Sequence, residues 1–179
     1  MALWNSTGLR GSGLEESINI TNERYRRENL ALVQKIPTSI IPLEFDQEHH
    51  KVKSAYFEKK STVDYIGVVQ GVPVCFDAKE CRMPSFPLQN VHEHQMEFMK
   101  QFERQQGISF FIVYFERDDA YYYMPYRDMQ FFWDRAENGG RKSIMREEFE
   151  EKYRIPILKQ TYIHYLEILS VDLESREDE

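Results

Sequence analysis

Apolar positions along the chain fall into two rhythms, and the clearest alternation lies between Thr62 and Lys79 in TVDYIGVVQGVPVCFDAK. Two runs rich in Val, Ile, Tyr and Phe, Thr62–Val69 and Val72–Lys79, flank Gln70-Gly71, which predicts a β-hairpin with a two-residue loop. That loop fixes the register: Val69 faces Val72, Tyr65 faces Phe76, Asp64 faces Asp77 and Thr62 faces Lys79. Opposed side chains share a face, and positions two apart stay on it. Thr62, Asp64, Asp77 and Lys79 therefore gather as one polar cluster.

Helical spacing governs other stretches. Leu14, Ile18, Tyr25, Leu30 and Val33 predict a helix from Gly13 to about Val33 with Ser12 as N-cap, although Asn19 to Asn22 weaken it. Val33–Leu43 reads as an edge or bulged strand interrupted by Pro37 and ending near Pro42. Cys81–Pro87 is a loop pinned by prolines. Val91, Met96, Phe98, Met99 and Phe102 predict a helix over about Asn90 to Gln106, closed by Gly107. Two apolar runs, Ile108–Phe115 and Ala120–Met124, predict buried strands around a turn at Glu116–Asp119. Pro125 then opens a helix through Arg135 that buries Met129, Phe131, Phe132 and Trp133. After a turn at Asn138-Gly139-Gly140, a short helix is expected near Ser143–Tyr153 with Ser143 as N-cap, while Ile155–Leu169 fits either strand or helix. This order of elements suits an α/β domain with a mixed sheet of about five strands.

At 179 residues the chain fits one domain, and 41% hydrophobic with 14% aromatic residues marks it as folded rather than disordered. No apolar run approaches the ~18–20 residues that span a bilayer, and no basic-then-apolar leader opens the chain, so a cytoplasmic protein without membrane contact is expected. Two cysteines, Cys75 and Cys81, are too few for a disulfide framework. Cys75 is in phase with Asp77, though a core or edge thiol is its simpler role. Neither a Gly-rich phosphate loop nor a G-x-S-x-G elbow occurs, which removes kinase, NTPase and α/β-hydrolase chemistry. The domain organisation read here is a flexible arm over residues 1–12, a single domain over 13–170 with an insertion at about 44–60, and an acidic tail over 171–179.

The hairpin cluster carries the candidate chemistry. Carboxylates directly across a strand pair, with Cβ atoms about 4.5–5.5 Å apart, repel each other, and a divalent cation would resolve that conflict. Mg²⁺ takes oxygen ligands, commonly one or two carboxylates with water and phosphate, and such an ion activates water and polarises a phosphoryl oxygen. Lys79 beside it could orient that water or stabilise charge on the phosphate. The plain alternative is a solvated face, because D-x-K is a common tripeptide. Net charge of −7 opposes attraction to a polyphosphate, but basic and acidic residues nearly balance over residues 1–60, and the negative excess lies beyond, notably in Glu147–Glu151 and Asp172–Glu179.

Asp64, twelve intervening residues and Asp77-Ala78-Lys79 form the pattern of the PD-(D/E)xK nuclease superfamily. The segments ESINITNERYRREN, AYFEKKSTVDYIGV, FDAKECRMPSFPLQNVHEHQMEFMKQF and FFWDRAENGGRKSI, in that order, resemble the RecU family of Holliday-junction resolvases over about Arg10 to Ile144. The resemblance implies a PD-(D/E)xK (restriction-endonuclease-like) α/β core with a projecting stalk at Glu44–Lys60, and a homodimer that nicks four-way junction DNA with Mg²⁺, or Mn²⁺ in its place. It implies metal binding by Asp64, Asp77 and a helix-borne acid, for which Glu15 is the match and Glu16 the alternative; either could equally serve as an acidic first turn. Lys79 would assist attack, Thr62 would position a ligand or phosphate, and Gln95 would hydrogen-bond a metal-bound water or phosphate. DNA contacts would come from Arg10 in the arm, from Lys51, Lys53, Lys59 and Lys60 with Tyr56 and Phe57 in the stalk, and from Arg141 and Lys142. Asp77 departs from the family, where Glu is usual. A recombinase or a branch-migration helicase is a candidate partner. Two other readings stay open: a junction-binding or recombinase-modulating protein with little cleavage, and a phage or restriction-type nuclease on the same core.

Overall fold

The computed structural model describes residues 13–37, 40–57, 62–158 and 162–177, with the side chains at 57 and 158 left aside. In chain order its elements are α1 (Gly13–Arg27), β1 (Ala31–Lys35), β2 (Ile40–Asp46), β3 (Lys51–Phe57), β4 (Tyr65–Val69), β5 (Val72–Cys81), β6 (Ser85–Pro87), α2 (Glu93–Arg104), β7 (Ile108–Phe115), β8 (Ala120–Pro125), α3 (Tyr126–Glu137), β9 (Ser143–Met145), β10 (Arg154–Ile155), β11 (Ile157–Leu158), β12 (Tyr162–Ile163) and α4 (Tyr165–Glu177). Six strands form the main sheet in the order β1-β4-β5-β7-β8-β10, one more than expected because Arg154 and Ile155 pair with Tyr122 and Tyr121. Only β5 and β7 run parallel, joined by the α2 crossover; the other neighbours are antiparallel.

The β4–β5 hairpin has the predicted register, with Val69 opposite Val72 and Tyr65 opposite Phe76. Its turn places Gln70 at φ 48° and Gly71 at φ 92°, positive at both central positions as a two-residue hairpin requires. Gln70 tolerates this because its Nε2 donates to the carbonyls of Asn29 (2.9 Å) and Leu30 (3.1 Å). Here the side chain ties the hairpin to the end of α1.

That end comes earlier than the apolar spacing predicts. Asn29 adopts φ 55° and Leu30 N donates to Tyr25 O at 2.9 Å, a C-terminal closure that stops the helix, so Val33 lies in β1 opposite Gly67. A Cβ at Gly67 would meet Leu32 O at 2.2 Å, so this pair of strands approaches only because the residue is glycine. Strand β4 starts at Tyr65 rather than Thr62: the ladder with β5 begins at Tyr65–Phe76, while Asp64 O accepts from Ile36 N at 2.7 Å in continuation of the register with β1. The expected interrupted strand and the start of the stalk are instead a hairpin, β2–β3, that begins at Ile40 rather than Glu44. No helix forms near Ser143–Tyr153: Ser143 pairs with Pro87, and Glu148 Oε2 accepts from Met145 N at 2.7 Å, leaving two 3-10 turns.

Two cores cover the sheet. On one face α1 and α4 pack over Val74, Phe76, Phe110 and Ile112; on the other, α2 and α3 pack over Cys75, Phe111 and Val113. A ladder of stacked rings runs across four strands on the first face, Tyr65–Phe76 (4.7 Å), Phe76–Phe110 (4.7 Å) and Phe110–Tyr123 (4.2 Å), which stiffens β5 where the motif lies. Phe131, expected in the core, is 64% exposed. Cys75 is a core thiol beside Ser109 Oγ at 3.3 Å, its pKa pushed up to about 12 by burial.

The segment thought to weaken α1 instead anchors the C-terminal part of the chain. Thr21 Oγ1 accepts from Ile163 N (3.1 Å), and Asn22 Oδ1 accepts from the buried Tyr165 hydroxyl (2.6 Å). Asn22→Ala should cost about 1–3 kcal/mol, because the phenol stays buried with its acceptor gone; urea unfolding will measure it, and an unchanged midpoint would refute this anchor. Residues 171–177, expected as part of an acidic tail, belong to α4 with Asp172 fully buried.

Candidate active site

Strand β5 divides its functional side chains between two faces. Asp77 and Lys79 point toward α2, and Glu80 points toward α1, as the contacts below establish. Lys79 Nζ lies 2.7 Å from Asp77 Oδ1, and Gln95 in the first turn of α2 bridges both, its Nε2 donating to Asp77 Oδ2 at 2.5 Å and its Oε1 accepting from Lys79 Nζ at 3.3 Å. The same Oε1 accepts from His92 N at 3.1 Å, which seats the start of α2 against the motif strand. Val91, packed in the core beneath this turn, and the β6–β9 pairing hold the approach to the helix.

Asp64 reaches the same place from the other strand of the hairpin. It has left the ladder, but its Oδ2 accepts from Ala78 N at 3.0 Å, which lays its carboxylate alongside the Asp77-Ala78-Lys79 backbone. Burial pushes the Asp77 carboxyl up to about 7; the Lys79 ammonium pulls against that rise and the Asp64 charge adds to it. Thr62 is half-buried and precedes Asp64 outside the strand, so its predicted pairing with Lys79 is not made.

Glu15 stands on α1 with Lys35 Nζ 2.8 Å from its Oε2, and is half-buried where Glu16 is exposed. Tyr65 links it to the hairpin, donating to Glu15 O (3.3 Å) and Asn19 Oδ1 (3.1 Å). The Tyr65 phenol is held protonated by burial first, then by the charges of Glu15, Asp64 and Asp77. Lys35, Tyr65 and Asn19 were not visible in the spacing, since each acts across strand or helix boundaries.

Among the described residues no three His, Cys, Asp or Glu side chains come together as a ready metal-ligand set; Glu15 pairs with Lys35. The donor chemistry nevertheless fits a hard divalent ion. Asp77 is fully buried with the Lys79 ammonium 2.7 Å from its Oδ1, and the nearby Asp64 charge raises its pKa, so two carboxylates share one lysine and a cation would balance the remaining charge. Asp64 and Asp77 would hold such an ion with water and phosphate completing its shell.

The candidate DNA contacts divide. Lys51, Lys53 and Tyr56 are exposed on the β2–β3 hairpin, Lys53 reaching Asp46 at 3.5 Å. Arg141 and Lys142 are exposed too, and Lys142 O accepts from Leu88 N at 3.1 Å, so this basic pair lies beside the segment that leads into α2. Arg10, Lys59, Lys60 and the N-cap expected at Ser12 lie outside the described residues, as does the Phe57 side chain. No helix among the described residues is long and apolar enough to cross a membrane.

Residues 9–171 match the family model described as Recombination protein U, RecU. Holliday junction resolvase RecU of Bacillus cereus strain B4264 is 44% identical over 146 residues, 79% of this chain and 73% of the relative. Its counterpart in Pediococcus pentosaceus is 40% identical over 173 residues, covering 94% of this chain and 86% of the relative. A solved structure of the Holliday junction resolvase Hjc from Archaeoglobus fulgidus aligns over 65% of this chain and 78% of its own with a TM-score of 0.43 and 8% identity. With nearly its whole length matched by the family model and relatives of this identity, the chain belongs to the RecU family.

Proposed function

We propose that this chain is a metal-dependent endonuclease that resolves four-way DNA junctions by paired symmetric nicks, acting as a homodimer with Mg²⁺ or Mn²⁺. The observation that carries the reading is the buried Asp77 carboxylate held beside Asp64 and Lys79 in a member of a resolvase family. A bound divalent ion would supply an acidified water and charge compensation at phosphate. The protein's own contribution is positioning. Gln95 holds the Asp77 carboxylate and the Lys79 ammonium in one plane of contacts, so that Lys79, whose side chain is only 14% exposed, meets a phosphate with little freedom left to lose. Glu15, paired with Lys35 in the first turn of α1, would supply the helix-borne acid.

A four-way junction is two-fold symmetric and needs two incisions, which a two-fold dimer delivers. Lys51, Lys53 and Tyr56 on the projecting hairpin, with Arg141 and Lys142 near α2, supply phosphate contact and stacking. The net charge of −7 makes this local placement matter, since the chain as a whole repels DNA.

The test is cleavage of a synthetic mobile four-way junction against linear duplex of the same sequence, with Mg²⁺ or Mn²⁺, for the wild type and Asp77→Ala. Symmetric nicks on the junction alone, lost in the variant while binding persists, are expected. Binding without cleavage under either ion would leave a junction-binding protein, and equal cutting of duplex would indicate a general nuclease.

A further inference from the structure

We infer that Glu80 is a positioning residue of the site: from the strand that carries Asp77 and Lys79 it caps the first turn of α1 and so sets where Glu15 stands. The inference rests on the metal-dependent reading above. Glu80 Oε1 accepts from Leu14 N at 3.0 Å, across 66 residues of sequence. The first N–H groups of a helix have no partner within it, and α1 begins at Gly13, so Leu14 N is one of them. A carboxylate there makes a charge-assisted bond and complements the positive end of the helix dipole.

Position gives this cap its consequence. Glu80 follows Lys79 directly, on the opposite face of β5, and Leu14 directly precedes Glu15. One hydrogen bond therefore joins the residue after the motif lysine to the residue before the helix-borne acid. Two other ties hold this turn: Tyr65 on β4, whose hydroxyl donates to Glu15 O and Asn19 Oδ1, and Lys35 on β1, whose ammonium pairs with Glu15 Oε2 at 2.8 Å. With Glu80 withdrawn, the first turn of α1 keeps its core packing and its ties to β1 and β4 but loses its polar bond to β5, and the backbone that carries Glu15 gains freedom relative to Asp77.

Two variants separate the hydrogen bond from the charge. Glu80→Gln keeps an acceptor at the same reach without the charge. Glu80→Asp keeps the charge but falls one methylene short of Leu14 N, and neither change empties a core position, since Glu80 is half-buried. Amide hydrogen exchange over residues 13–20 in metal-free protein reads the cap directly, and Mn²⁺ affinity by electron paramagnetic resonance reads the site. The expected result is faster exchange with Mn²⁺ binding weakened about 10-fold or more in Glu80→Asp, and near wild-type behaviour in Glu80→Gln. Exchange unchanged in Glu80→Asp would overturn the cap. Faster exchange with unaltered Mn²⁺ affinity would overturn its link to the site, as would Glu80→Gln behaving worse than Glu80→Asp. If the wild type itself binds no Mn²⁺ while exchange still responds, the metal-dependent reading fails and the cap stands as a structural bond alone, which also ends its role at the site.

Discussion

Asp77→Asn is expected to lower junction cleavage on the order of 10³-fold and, in metal-free protein, to raise stability above neutral pH. Both effects come from the same burial. Asp77 is fully buried, and its carboxyl is pushed up to about 7 by desolvation against the pull of Lys79, whereas an unfolded aspartate titrates near about 3.9. A group whose folded-state value is raised binds its proton more tightly in the fold. Its contribution to stability is complete below the unfolded value and is lost as pH rises through the folded one. The metal-free wild type should therefore lose thermal stability relative to Asp77→Asn as pH rises from about 4 to about 7, with no further relative loss above that. Added Mn²⁺ should restore the wild type and leave the variant unmoved, because a ligand stabilises only the state that binds it. Melting curves for the two proteins that stay parallel across this range would show that Asp77 is charged in the fold at all these pH values.

Why this much was legible in sequence, and no more, follows from the range of the interactions. The hairpin register needs only a two-residue turn and alternation, and both are local, so Tyr65 opposite Phe76 and the approach of Asp64 to Asp77 could be read without coordinates. The same locality misled at Thr62, because the ladder with β5 ends at Tyr65–Phe76 and Asp64 instead turns its carboxylate to Ala78 N, which alternation does not show. Glu15 could be named as an acid with Glu16 as its alternative, but its ion pair with Lys35 on β1 could not be read from spacing. Glu80 gave no signal at all, since a carboxylate capping a helix 66 residues away has no spacing to recognise. Charge was the other source of error. Counting acids in 171–179 suggested solvated chain, yet burial is decided by partners on α2, α3 and β8 that a local count does not include.

Asp172→Ala tests that last point with the largest expected stability change in the chain. If residues 171–179 were a solvated tail, truncating one of their acids would be silent. Instead Asp172 is fully buried, with Arg127 Nη1 at 2.8 Å, Arg176 Nη2 at 3.3 Å and the buried Tyr123 hydroxyl donating at 2.8 Å. Removing Asp172 takes from Arg127 its 2.8 Å counter-charge, leaves Arg176 with Glu103 alone, and leaves the buried Tyr123 hydroxyl without its acceptor, a loss of about 3 kcal/mol. Glu174, exposed on the same helix, is the control, and its alanine variant should stay within about 0.5 kcal/mol of the wild type. Urea unfolding with an unchanged slope gives both values. The damage should be thermodynamic rather than chemical. Arg176 also holds Glu103 at the end of α2 (2.7 Å), and Gln95 stands in the first turn of that helix, so at low temperature, where the variant is still folded, the site geometry is kept and junction cleavage should survive. A midpoint equal to that of the wild type would mean that Arg127 and Arg176 find water or other acids once Asp172 is gone, and that α4 is not locked to the sheet by this carboxylate.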